Sequence, residues 1–112
     1  MDNMKNTFTS AVNGSMVKIR VQYFGSFRET TGHNEEEVEI SSEATVHELL
    51  LKLSSLYGPT FKNEVFQENG KIIRDDLMVS INGSLSNQEK ITCTRVESGD
   101  VIMLLPIFIG GG

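Results

Sequence analysis

The chain has 112 residues, 38% of them hydrophobic, and 15 acidic against 10 basic side chains give it a formal net charge of -5. That length allows one small domain with a modest core, and the acidic balance disfavours nucleic acid, whose binding draws on clustered Lys and Arg. A single cysteine, Cys93, excludes an intramolecular disulfide and thiolate-pair chemistry, which fits a reducing compartment.

Residues 1–15 are polar, with Phe8 and Val12 the only sizeable apolar side chains after the methionines, and they read as a disordered extension. They hold no continuous apolar stretch, so no secretion signal is expected. Nothing later approaches the ~20 apolar residues of a membrane span, and the cytoplasm is the expected location. The domain body is expected over 16–108.

From Met16 the residues alternate: Val17, Ile19, Val21 and Tyr23 point one way, Lys18, Arg20, Gln22 and Phe24 the other. This is a strand with one buried face. The alternation puts the aromatic Phe24 among charged neighbours on the outer face, either as a contact patch or as an ordinary exposed side chain. Gly25 to Asn34 reads as a connection, and Glu35 to Ile40 as a second strand pairing with the first in a hairpin. The run Glu35, Glu36, Glu37 reads as a solvated edge, because successive strand side chains face opposite ways.

Thr45 and Glu48 form a capping box that starts a helix. Val46, Leu49, Leu50, Leu53 and Leu56 make its apolar stripe, His47 lies on its polar side, and Tyr57, Gly58 and Pro59 end it. Phe61 to Asp76 reads as a short helical turn and an irregular connection, with a turn at Asn69-Gly70. Leu77 to Ile81 is a third strand, Asn82-Gly83 a hairpin dipeptide, and Ser84 to Ser86 the start of the return. After a turn at Ser98-Gly99-Asp100, the nearly unbroken apolar run Val101 to Phe108 predicts a central strand covered on both faces. The fold class is α+β: a mixed sheet of four to five strands with one main helix packed across it.

Catalytic equipment is sparse. There is no glycine-rich phosphate loop, no histidine pair at metal-ligand spacing, and no nucleophile with an obvious base. Cys93 has only Arg95 close by, in what reads as a strand, and His47 has no second histidine near it. No bound cofactor or metal is expected. Such a chain suits a carrier, a substrate or a binding module better than an enzyme.

The last residues are Gly110, Gly111 and Gly112. Glycine is about 7% of residues in general, lacks Cβ and reaches backbone angles closed to others, so a slender tail of 109–112 can thread a narrow slot. The terminal carboxyl of Gly112 is then the candidate working group; a frayed end is the alternative. A carboxylate is resonance-stabilised and must be activated. Attack on the α-phosphate of ATP gives an acyl adenylate, from which a sulfur or nitrogen nucleophile displaces AMP, and this requires another protein's active site. Pro106 stiffens the root of the tail, and Ile107, Phe108 and Ile109 offer apolar area to anchor it.

Val21-Gln22-Tyr23-Phe24-Gly25-Ser26-Phe27-Arg28-Glu29 with Gly32, Thr45 to Leu50, Ile81-Asn82-Gly83, and Ser98 to Val101 leading to Pro106 and the glycines together resemble the ubiquitin-like sulfur carriers of the MoaD and ThiS family. The resemblance covers Val17 to Gly112. It implies a β-grasp fold in which Gly112 is adenylated and converted to a thiocarboxylate for molybdopterin (molybdenum or tungsten cofactor) biosynthesis. It further implies that Phe24, Leu85 and Leu105 face a partner. The implied partners are an ATP-dependent adenylyltransferase of the ubiquitin-activating type and the large synthase subunit, with neither nucleic acid nor membrane among them. Archaeal small modifier proteins are similar in fold and join their terminal glycine to lysines, so a protein modifier is the alternative, as is a carrier for tRNA thiolation or thiamine synthesis. One departure stands out. The usual family tail runs from a proline pair through two residues to a glycine pair, whereas here Pro106 precedes Ile107, Phe108, Ile109 and three glycines, about one residue more and more apolar.

Overall fold

The computed structural model describes residues 15–107. Residues 1–14 of the expected extension, and Phe108, Ile109, Gly110, Gly111 and Gly112, lie outside the described residues.

Among the described residues, seven strands and four helices follow in chain order: β1 (Met16–Tyr23), α1 (Ser26–Thr31), β2 (Glu35–Ser41), α2 (Val46–Tyr57), α3 (Pro59–Val65), β3 (Phe66–Gln67), β4 (Ile72–Ile73), β5 (Leu77–Ile81), β6 (Ser84–Ser86), α4 (Gln88–Cys93) and β7 (Val101–Pro106). Five strands form one sheet in the order β2-β1-β7-β5-β6, with β1 and β7 parallel and the other neighbours antiparallel. The two-residue strands β3 and β4 pair separately. A mixed sheet with α2 packed across one face is the expected β-grasp roll.

Each main element forms for the anticipated local reason. Thr45 Oγ1 accepts from the Glu48 amide at 3.1 Å and Glu48 Oε1 accepts from the Thr45 amide at 2.9 Å, so the capping box starts α2. Val46, Leu49, Leu50 and Leu53 bury the inner stripe of α2 against Ile19, Val21, Val38, Ile40, Ile102 and Leu104 of the sheet. Asn82 and Gly83 take φ of 51° and 87° and close the hairpin between β5 and β6. The Asn82 side chain also joins the last strand, donating to Asp100 at 2.9 Å and accepting from the Val101 amide at 2.8 Å.

Several expectations are corrected. The connection after β1 contains α1, whose Phe27 and Thr31 are buried one turn apart. The segment 61–76 is more regular than a helical turn: it takes in all but the first two residues of α3 and the small β3–β4 hairpin about Asn69-Gly70. Cys93 ends the helix α4 rather than lying in a strand, and it is exposed. Leu56 is 62% exposed, because the inward position of the last turn is taken by Tyr57. His47 is half-buried beside Phe66, ring centroids 5.2 Å apart, with its Nδ1 buried and unpartnered. The strand β7 is central but covered on one face only: Ile102 and Leu104 are buried, whereas Val101, Met103 and Leu105 are half-buried on the other side. It also ends at Pro106, short of the expected Phe108.

Glu36 departs from the solvated-edge reading as well. It pairs across from Val21 on the inner face and accepts from both Tyr23 Oη, at 2.6 Å, and Tyr57 Oη, at 2.5 Å. Burial, then the hydrogen bond to Glu36 and its negative charge, pushes the Tyr57 hydroxyl up to about 12 and the Tyr23 hydroxyl above the ordinary phenol range. A raised folded-state value means that the stabilisation is fully present below the unfolded tyrosine value of about 10 and is lost as pH rises through the folded values. These are the chain's two tyrosines, and it has no tryptophan, so tyrosinate absorbance reads them alone. The expected titration shows little tyrosinate at pH ~10 and a steep rise nearer 12, coincident with loss of far-UV ellipticity. In Glu36→Gln the rise is expected at lower pH.

Candidate functional site

The sheet has two faces. The inner one carries the core; among the described residues no helix packs on the outer one. Strand register fixes what the outer face presents. Gln22 on β1 lies beside Met103 on β7, Met103 beside Ser80 on β5, and Ser80 beside Leu85 on β6. One step further along, Leu105 lies beside Met78, and the Phe24 amide, continuing the β1 ladder, donates to the Leu104 carbonyl at 3.1 Å, which sets Phe24 next to Leu105. Phe24, Met78, Met103 and Leu105 are half-buried and Leu85 is 64% exposed, so together they form an apolar patch across four strands. The Arg28 guanidinium stacks over the Phe24 ring at 5.2 Å and fixes its orientation. Charge borders the patch on the β2 side, where Arg20 pairs with Glu35 at 2.9 Å and Gln22 donates to Glu35 at 3.3 Å.

The structure thus brings together Phe24, Leu85 and Leu105 of the predicted contact residues. Met78 and Met103 escaped the sequence reading. Met103 is embedded in an unbroken apolar run that hides its outward orientation, and Met78 joins the patch only through strand pairing. Adjacent apolar side chains on an exposed sheet face are the kind of surface that suits a protein partner. Among the described residues no group of three His, Cys, Asp or Glu side chains is placed to hold a metal ion, and no helix is long and apolar enough to cross a membrane.

The same central strand that carries Leu105 delivers the end of the chain. Pro106 has no amide hydrogen to continue the ladder to β1, and the Phe24 carbonyl turns instead to accept from the Phe27 amide at 3.2 Å. On the opposite side the ladder to β5 persists one step further, with the Ile107 amide donating to the Asp76 carbonyl at 2.8 Å. Ile107 is therefore half-buried against its own domain. It borders a groove of about 500 Å³ together with Phe27, Thr60, Glu64, Arg74 and Asp76. The predicted tail residues Phe108, Ile109, Gly110, Gly111 and Gly112 lie outside the described residues.

Gly25 seats the Pro106 ring. With φ of 59° and ψ of -135° it occupies a region closed to other residues, and a Cβ there would lie 3.0 Å from Pro106 Cγ. Gly25→Ala is expected to cost about 1–3 kcal/mol of stability, measured as a lower urea midpoint with unchanged slope.

The model of the ThiS family matches residues 21–111. A protein from Pyrococcus furiosus described as molybdopterin converting factor, subunit 1, is 31% identical with a TM-score of 0.65, over 82% of this chain and 99% of that one. The small archaeal modifier protein 1 from Methanosarcina acetivorans is 26% identical with a TM-score of 0.72, over 88% of this chain and 100% of that one. Urm1 from Trypanosoma brucei, 15% identical with a TM-score of 0.70 over 87% of this chain and 98% of that one, shares the ubiquitin-like fold. No curated protein matches the chain.

Proposed function

The chain belongs to the ThiS family of ubiquitin-like sulfur carriers and modifiers, and from that premise we propose that it carries sulfur on the terminal carboxyl of Gly112. A carboxylate oxygen of Gly112 attacks the α-phosphorus of ATP in the site of a ubiquitin-activating-type adenylyltransferase, and pyrophosphate leaves. Hydrosulfide, or a sulfur nucleophile equivalent to it, then attacks the acyl carbon, the bond to AMP breaks, and a thiocarboxylate remains. The best-supported acceptor route is molybdopterin synthesis, in which the large synthase subunit receives the charged tail.

The observation that carries this reading is the continuity of the apolar outer face with the root of the tail on one strand, β7. A partner docked over Phe24, Leu85 and Leu105 has the root of the tail, Pro106 and Ile107, beside it. Five residues beyond Ile107 reach at most about 17 Å when extended, so the partner's active site must lie within that radius of the root. Mass spectrometry of the protein co-expressed with its activating enzyme and a sulfur source tests the proposal. One sulfur-for-oxygen exchange at Gly112 is expected; an unaltered terminus alongside confirmed adenylation would remove the carrier reading.

The likeness to the Methanosarcina modifier protein favours a second reading, in which a lysine amine displaces AMP and Gly112 ends in amide linkage to a target protein. Tryptic peptides bearing a branched glycine remnant distinguish it.

Charge placed on the outer face separates docking from folding. Leu85→Arg is expected to weaken partner binding by about 2 kcal/mol or more, roughly thirtyfold in Kd, while leaving the melting temperature unchanged, because Leu85 is already exposed. Titration calorimetry against either partner reads the loss.

A further inference from the structure

Beside the root of the tail the chain makes a short, specific turn. Arg74 Nε donates to Asp76 Oδ1 at 2.9 Å and Arg74 Nη2 to Asp76 Oδ2 at 3.1 Å, a two-pronged pair between residues only two apart. The backbone of this turn is weakly closed, the Leu77 amide reaching the Arg74 carbonyl at 3.3 Å. The side-chain fork is therefore what gives it shape. Two further bonds tie the turn to the rest of the domain. On one side the Arg74 amide donates to Val65 at the end of α3, at 2.9 Å; on the other the Asp76 carbonyl accepts from Ile107, at 2.8 Å. Ile107 is the last described residue, and that bond lies just past the proline where the ladder to β1 has stopped.

We propose that Arg74 and Asp76 are positioning residues for acyl transfer: their ion pair sets the turn whose carbonyl holds Ile107, and so fixes the backbone at the root of the tail. A surface pair with side chains 41% and 43% exposed adds little to stability, which leaves geometry as its contribution. The Arg74 guanidinium, through its hydrogen bond, holds the Asp76 carboxyl below the usual carboxylate range, so the pair is charged throughout the neutral range. Gly25 and Pro106 brace the opposite side of the same strand end. With Ile107 held in one place, the terminal carboxyl meets the α-phosphate of ATP more often in a productive orientation.

The proposal rests on the carrier reading for its kinetic arm but not for its structural one. In Arg74→Ala of the full chain, amide hydrogen exchange at Ile107 is expected to rise about tenfold while exchange at the core residues Val79 and Leu104 stays unchanged. Pyrophosphate release by the activating enzyme is expected to show kcat lowered roughly tenfold at nearly constant KM, within the ~100-fold that a misplacement of about 1 Å costs. The charge-swapped double variant Arg74→Asp with Asp76→Arg is expected to restore both. Unaltered Ile107 exchange in Arg74→Ala overturns the proposal, as does a kcat loss that persists in the double variant after exchange has recovered. A wild-type chain that is never adenylated overturns the carrier reading instead, and the exchange measurement still decides whether the pair pins the tail root.

Discussion

Phe61→Ala is expected to be the most destabilising single truncation in the domain, costing about 3–5 kcal/mol. Phe61 is fully buried and its ring meets three others edge-on or tilted: Tyr23 at 6.3 Å, Phe27 at 5.6 Å and Tyr57 at 5.6 Å between centroids. Those rings come from β1, α1 and the end of α2, so the side chain locks α3 to three separate elements. Removing it leaves a cavity that none of them can fill alone, because Tyr23 and Tyr57 are held in place through Glu36. Domains of this size are stable by only ~5–15 kcal/mol, so the variant loses a large fraction of the total. Urea unfolding followed by far-UV ellipticity measures it, and Phe61→Leu, which retains more volume, is expected to cost markedly less. A cost below about 1 kcal/mol for the alanine variant would mean that α3 is dispensable to the core.

Elements whose local chemistry and burial pattern agree were legible from sequence. The alternation from Met16, the Thr45–Glu48 capping box and the Asn82-Gly83 hairpin each specify one backbone geometry, and each is realised. The missed helices share a cause. In six residues α1 buries two side chains and α4 buries one, too few to show a helical period, and their packing is supplied by the rest of the domain. The Asn87 side chain does cap α4 through the Lys90 amide, a start signal present in the sequence. The outer patch was half legible. Phe24 is betrayed by its charged neighbours on β1, whereas Met103 and Leu105 sit in a run that is apolar at every position, and only the packing of α2 on the inner face of the sheet distinguishes inside from outside there. Gly25 and Asp76 act through contacts with residues some 80 and 30 positions away, which no local pattern in the chain encodes.

Removing Gly112 is expected to suppress adenylation-dependent transfer by at least ~100-fold while shifting the melting temperature by less than about 2 °C. The stability half rests on the core of the described residues, whose buried hydrophobic side chains run from Ile19 to Leu104, all before the proline. The functional half follows from reach. With the chain held at Ile107, each residue of tail adds at most about 3.5 Å, and a carboxyl drawn back by that much misses an in-line approach that tolerates roughly 1 Å. The shortened chain still ends in a glycine carboxylate, so the variant tests position rather than chemistry. Gly111→Val is the companion variant: it keeps the length and the terminal carboxyl but adds a branched side chain, and is expected to slow adenylation by obstructing a narrow slot. Pyrophosphate release measures both. Wild-type rates in both variants would leave a plain interaction module as the reading, with the outer face as its working surface and the glycines without a part in it.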